Sequence, residues 1–243
     1  MSIGTAAPSK EQLHLVPHYF IHSHSIENYY TAGLYEIEAL ELLNNLFLNH
    51  NTLIMAGGSG MYIDALCNGL DAFPEADLEL RDSLMQRLER DGLESLVSEL
   101  KERDVETYNV IDLNNPQRVV RALEVTLQTG IKFSAWKSSP KKERPFKITK
   151  LGLYRDREEL YDRINRRVDI MLKEGLVAEV KSLIEYRDRP ALKSVGYTEI
   201  FNYLDGNISL EDAIDLIKRN SRRYAKRQMT YWNRDTNINW IKL

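Results

Sequence analysis

Apolar residues recur at helical spacing along most of the chain and at strand spacing in two short stretches. Leu34, Ile37, Leu40 and Leu43 or Leu46 share one face of a helix near 32–48. Residues 51–56, Asn-Thr-Leu-Ile-Met-Ala, read as a short buried strand, and Gly57-Gly-Ser-Gly60 turns it into a helix opening at Met61. From about residue 71 the pattern is helical and charged. Leu80, Leu84 and Leu88 form a stripe ended by Gly92, and Leu93, Leu96, Val97 and Leu100 form the next. Asn115-Pro116 is an N-cap followed by a proline at the first helical position, and the helix over 116–129 stops at Gly130. Residues 131–145 form a basic, proline-containing loop.

Phe146, Ile148, Leu151 and Leu153 return the chain to a strand, with these side chains expected to be buried. A helix over 156–173 follows. Asp156 and Glu159 have the spacing of a capping box and Gly175 that of a stop, and a second helix lies near 176–186. Lys193–Tyr197 is a glycine turn opening a helix that ends near Gly206. Ser209 caps a long helix on which Ala213, Ile217, Tyr224 and Tyr231 form the inward stripe. Strand, glycine turn and helix make an α/β unit. The pattern predicts an α/β core from residues 1–70 and 145–243 with a helical insertion at 71–144.

Composition narrows the class. The 243 residues are 43% hydrophobic, and no apolar run approaches the ~20 residues of a membrane span. No secretory pattern opens the sequence, and a single cysteine, Cys67, suits a reducing compartment; the expected location is cytoplasmic. Net charge is −3, yet residues 218–234 carry seven basic groups and no acid, with aromatics interleaved. Arg219, Arg222, Arg223, Lys226 and Arg227 cover one flank of that helix. A basic block on an acidic protein points to a local polyanion site, the alternative being a solvated face. His14, His18, His22 and His24 crowd one stretch, but no cysteine or spaced carboxylate completes a ligand set, so loop histidines are expected and no metal residue is assigned.

The sharpest candidate chemistry sits on the 156–173 helix. Leu160, Ile164 and Met171 share a stripe, Arg167 falls inside it and Arg163 lies at its edge. An arginine on a core-facing stripe is costly unless an anion or acceptor meets it, and two arginines at i and i+4 make a fork suited to phosphate. The alternative is an arginine that snorkels or pairs with a buried acid. Gln117, Arg118 and Arg121 lie in the first turns of the 116–129 helix. There backbone donors also favour anions, so either an RNA contact or a solvated polar face is expected.

Several stretches together resemble one family. They are Ile3-Gly-Thr-Ala-Ala-Pro8, Pro17-His18, Gly57-Gly-Ser-Gly-Met-Tyr62, Asn115-Pro-Gln-Arg-Val-Val-Arg-Ala-Leu-Glu124, Arg163-Ile-Asn-Arg-Arg-Val168, Ser194-Val-Gly-Tyr197 and Lys226-Arg-Gln-Met-Thr230. In this order they look like a tRNA dimethylallyltransferase (tRNA isopentenyltransferase) over nearly the whole chain. The resemblance implies a P-loop-kinase-like parallel sheet core with an inserted helical tRNA-binding domain. It implies dimethylallyl diphosphate as substrate, Mg²⁺ as cofactor and the tRNA anticodon stem-loop as partner, with alkyl transfer to N6 of adenosine 37. It implies that Arg167 is catalytic at the diphosphate, with Arg163 beside it. Ser59, Arg81, Gln117, Arg118, Arg121, Lys193, Ser194, Gly196, Tyr197, Lys226, Arg227, Gln228 and Thr230 are implied to contact tRNA. Thr198 stands where the family often has arginine.

The family pattern also opens with a strand, a phosphate loop bearing Lys and Ser/Thr, and an aspartate acting as general base. None of these is found in the 243 residues. The expectation is therefore a chain N-terminally truncated relative to the family, inactive alone and open to self-association where the family is monomeric. The competing readings are an adenylate isopentenyltransferase, which needs no helical tRNA grip, and a non-catalytic RNA-binding remnant. A P-loop nucleotide kinase is excluded by the missing loop.

Overall fold

The computed structural model describes residues 1–71, 73–137 and 142–243. Ala72 and residues 138–141 of the expected basic loop lie outside them. The chain divides into two compact units, one of residues 1–63 and 146–243 and one of residues 64–145.

In chain order the helices and strands are α1 (Lys10–Leu15), α2 (Ala32–Leu46), α3 (Gly60–Asn68), α4 (Leu78–Asp91), α5 (Leu93–Arg103), α6 (Val105–Val110), α7 (Pro116–Thr129), α8 (Phe133–Trp136), β1 (Lys150–Tyr154), α9 (Arg157–Lys173), α10 (Leu176–Lys181), α11 (Tyr197–Leu204), α12 (Leu210–Trp232) and β2 (Ile238–Lys242). Single 3₁₀ turns at Ile184–Tyr186 and Pro190–Leu192 lie between α10 and α11.

The first unit is α/β. β1 and β2 pair in parallel, Lys150 opposite Ile238 and Tyr154 opposite Lys242. Parallel neighbours need a crossover, and α9 to α12 supply it. Gly152 faces Trp240 across this register, where a Cβ would overlap the indole. The core lies among the helices. Val168 and Met171 of α9, Leu176 and Val180 of α10, Tyr197, Ile200 and Phe201 of α11, and Ala213 and Ile217 of α12 pack together with Leu192.

The second unit is helical among the described residues. α7 is its centre, with Val119, Val120, Ala122 and Leu123 packed against Leu84 of α4 and Leu96 and Leu100 of α5. Its ends are set as the sequence predicts. The Asn115 side chain accepts from the Arg118 N–H, Pro116 opens the helix, and Gly130 closes it in the left-handed region. Asp104 caps α6 through the Thr107 N–H, and its carboxylate also takes the N–H and hydroxyl of Ser134, fastening α8 to α6. Burial alone would raise the Asp104 carboxyl; these hydrogen bonds outweigh it and hold it below the usual range.

Several expectations are corrected. Residues 51–56 form no strand, and Ile54 is 91% exposed. Extended backbone is stable only when a neighbour completes its ladder, and the described ladder contains β1 and β2 alone. Leu151 and Leu153 face outward because that face of the two-stranded sheet is uncovered. On α2 the buried positions are Ala32, Glu36 and Ala39, while Leu34 and Ile37 are exposed; the helix packs through its small residues. The helix expected at 176–186 ends at Lys181 and passes into a 3₁₀ turn. Tyr224, expected inward, is exposed. Asp156 makes no side-chain cap, because it pairs with Lys242 while Glu159 pairs with Arg155.

Candidate functional site

α9 buries Val168 and Met171, with Ile164 half-buried, so its inward face lies one residue beyond the stripe read from the sequence. That small rotation changes the chemistry. Arg167 is exposed, not core-facing, and so is Arg163 one turn before it. The acids around them are engaged: Asp162 with Arg166, Asp169 with Lys218 at 2.6 Å, and Glu159 with Arg155 at 2.5 Å. Arg163 and Arg167 have no ion pair among the described residues. Two uncompensated guanidiniums four residues apart form an anion-binding fork that costs no buried charge.

Arg163 also lines a cleft of about 390 Å³. The cleft opens at the carboxyl ends of β1 and β2, where parallel sheets commonly present ligand sites. Leu153, Leu160, Met229 and Leu243 give it apolar walls, and Arg157 and Lys226 add positive charge. Arg157 lies 5.1 Å from the centre of the Tyr161 ring, and Arg222 of α12 covers that ring at 5.9 Å. Arg222 also donates to Asn165 Oδ1 at 2.6 Å, which locks α12 to α9. Thus Arg163 and Lys226, far apart in sequence, meet at one opening.

Of the basic flank on α12, Arg219, Arg223, Lys226 and Arg227 are exposed, while Arg222 is drawn onto α9. The Gly57–Gly60 turn approaches the end of this helix closely. A Cβ on Gly58 would overlap Gln228, one on Gly60 would overlap the Tyr231 ring, and Trp232 Nε1 donates to the Gly58 carbonyl at 3.3 Å. Ser59 is therefore held near Gln228. The Thr230 hydroxyl is turned back onto the Lys226 carbonyl at 3.0 Å.

The turn at 193–198 is split by burial. Lys193, Ser194 and Thr198 are exposed. Tyr197, assigned to tRNA by the resemblance, is instead fully buried, and its phenol donates to Glu179 Oε1 at 2.6 Å. Gly196 is buried too; its N–H donates to Glu199 Oε2 at 2.8 Å, and Asn220 holds the other oxygen. These two residues shape the turn from below.

In the helical unit, Arg81 and Arg121 meet on one acid. Arg81 Nε donates to Glu124 Oε2 at 2.8 Å and Arg121 Nη1 to Oε1 at 2.6 Å, while Glu124 is fully buried. Arg121 Nη2 also donates to the Pro74 carbonyl at 3.0 Å, with its guanidinium over Phe73. Gln117 and Arg118 are exposed on the first turn of α7. Sequence reasoning missed Glu124 and Glu179 as organisers, although Arg121 and Glu124 are visible at i and i+3. The histidines at 14–24 lie in loops and a short helix, His24 pairing with Glu38 at 3.0 Å. Among the described residues no group of three or more His, Cys, Asp or Glu side chains could hold a metal ion. No helix there is long and apolar enough to cross a membrane.

The sequence matches the IPP transferase family over residues 1–235. It is 50% identical over 241 residues to tRNA dimethylallyltransferase 1 of Bacteroides thetaiotaomicron, spanning 99% of this chain and 78% of that protein. It is 52% identical to tRNA dimethylallyltransferase of Cytophaga hutchinsonii, spanning 99% of this chain and 79% of that one. Among solved structures, the full-length tRNA isopentenylpyrophosphate transferase of Bacillus halodurans aligns with a TM-score of 0.69 at 35% identity. That alignment covers all of this chain and 77% of the other.

Proposed function

The chain belongs to the IPP transferase family, and from that premise we propose that it serves transfer of a dimethylallyl group from dimethylallyl diphosphate to N6 of adenosine 37 in tRNA. The adenine amine attacks the allylic carbon, the carbon–oxygen bond breaks, and diphosphate leaves with the electron pair. A departing diphosphate needs positive charge held where its own charge develops. The observation that carries this reading is the exposed, uncompensated Arg163–Arg167 fork beside the cationic cleft. In it Arg167 is the catalytic cation and Arg163 its neighbour on the diphosphate.

For the tRNA side, the reading uses Ser59, Lys193, Ser194, Lys226, Arg227, Gln228 and Thr230 on the α/β unit and Gln117 and Arg118 on the helical one. The residues at 71–144 act as the tRNA-gripping insertion. Arg81 and Arg121 contribute by holding that insertion's shape through Glu124. The target adenosine is flipped out to be reached. The location proposed is cytoplasmic.

Mg²⁺, implied by the resemblance, finds no group of three acidic, histidine or cysteine ligands among the described residues. The proton lost from N6 needs an acceptor. On this reading the chain binds both tRNA and diphosphate through the residues named above. The outward-facing Leu151, on the uncovered face of the sheet, supports self-association there.

The test is a titration of inorganic diphosphate into the chain and into Arg163→Ala and Arg167→Ala. Each substitution is expected to weaken binding about tenfold, the loss of one charge-assisted hydrogen-bond set. Equal affinity in all three would remove the fork from the reaction.

A further inference from the structure

Ser2, Ile3 and Gly4 donate three consecutive backbone N–H groups to one carboxylate, that of Glu179 on α10, at 2.7, 2.9 and 3.0 Å. The Tyr197 phenol donates to the same carboxylate at 2.6 Å. Successive main-chain donors converging on an anion form a nest, the arrangement that elsewhere binds phosphate. Here an internal side chain fills it. A carboxylate offers about four acceptor sites, and all four donors are taken up.

The segment so held is tightly constrained. No space separates Gly4 from the Tyr197 ring; a Cβ would overlap it. Ala6 donates to the Ile3 carbonyl at 3.1 Å and Ala7 to that of Ser2 at 2.9 Å. Ala6 is held at φ +51°, a strained position that persists only where its surroundings fix it. Thr5 and Ala6 are exposed at the tip of this turn. On the other side of Tyr197, the exposed Lys193, Ser194 and Thr198 belong to the second turn that the same residue anchors.

We infer that Glu179 is a positioning residue for RNA binding: it ties the turn of residues 2–7 to the turn of residues 193–198, so that both present one surface to the anticodon loop. The inference rests on the tRNA reading above. Glu179 touches no nucleotide in it. Its role is to hold main-chain atoms and Tyr197 where the exposed members of both turns meet the loop together.

The test uses the full chain and an anticodon stem-loop. Glu179→Gln keeps the shape but sets an amide N–H₂ against N–H donors. The amides of Ile3 and Gly4 should then exchange with solvent at least about tenfold faster. Stem-loop affinity should fall about tenfold, as loss of one charge-assisted contact set implies. The salt dependence of binding should become shallower by at most about one, because Lys193 is the one basic residue among the exposed members of the two turns. Tyr197→Phe, which retains the buried ring, should give the same pattern at about threefold, and it serves if the first variant fails to fold. Faster exchange with unchanged affinity would overturn the inference. So would a lost affinity accompanied by a slope that falls by several, since that marks loss of phosphate contacts beyond these two turns. An unaltered chain that does not bind the stem-loop overturns the tRNA reading itself and this inference with it.

Discussion

Glu124 and Glu179 each gather groups that the family resemblance assigns to tRNA, Arg81 and Arg121 in the first case and Tyr197 in the second. Glu124 is fully buried and divides its two oxygens between Arg81 and Arg121. Removing one partner of such a cluster leaves buried charge without a counterpart. Glu124→Gln should lower the stability of the helical unit by about 2 kcal/mol, read as a shifted urea midpoint. An unshifted midpoint would show the two arginines to be independent of it. For Glu179, burial alone would raise the carboxyl, but the Tyr197 phenol and the three N–H groups outweigh it and hold it at about 2. A depressed carboxyl stabilises the fold above its usual value of 4.5, and that contribution is lost as pH falls through about 2. The amides of Ser2–Gly4 should accordingly stay protected from exchange at pH 4 and lose protection only near pH 2. Loss already at pH 4 would contradict the assigned bonds. The i, i+3 pair of Arg121 and Glu124 is legible in the sequence; Arg81, 43 positions away, is not. A stripe drawn through Leu160 points Arg167 inward, whereas Leu160 is a half-buried wall of the cleft.

Helices declared themselves through their ends. Thr31, Asp77, Asp104, Asn115 and Ser209 all cap through their side chains, and each lies just before an apolar repeat. Such local signals hold unless another partner takes the capping side chain, as Lys242 takes that of Asp156. The face a helix buries is a different matter, because its partner decides it. α2 hides Ala32 and Ala39 and shows Leu34 and Ile37, which no spacing rule would give. Strands depend on partners still more, and the apolar run at 51–56 has none among the described residues. Where a core face was read correctly, large costs follow from cutting it. Leu123, fully buried at the centre of α7, should cost about 3 kcal/mol when replaced by alanine. A loss under 1 kcal/mol by chemical denaturation would mean that α7 is not the centre of that unit. At Gly130, φ is +70°, so Gly130→Ala should cost about 1 kcal/mol by the same measurement. An unchanged stability would place the end of α7 elsewhere.

At the scale of the molecule, net charge of −3 conceals a surface with a direction. Arg219, Arg223, Lys226 and Arg227 stand exposed on α12, and the Arg163–Arg167 fork stands on α9 beside them. Bulk composition could not reveal this, whereas the acid-free run at 218–234 did. Binding through such a face releases counterions, so affinity should fall steeply with salt, and Lys226→Ala should lower the slope by about one. The most direct measurement places the 243-residue chain with an anticodon stem-loop, Mg²⁺ and labelled dimethylallyl diphosphate, scoring binding and label transfer in the same tubes. Salt-sensitive binding of the stem-loop is the predicted result, and its absence in the folded chain would contradict the account.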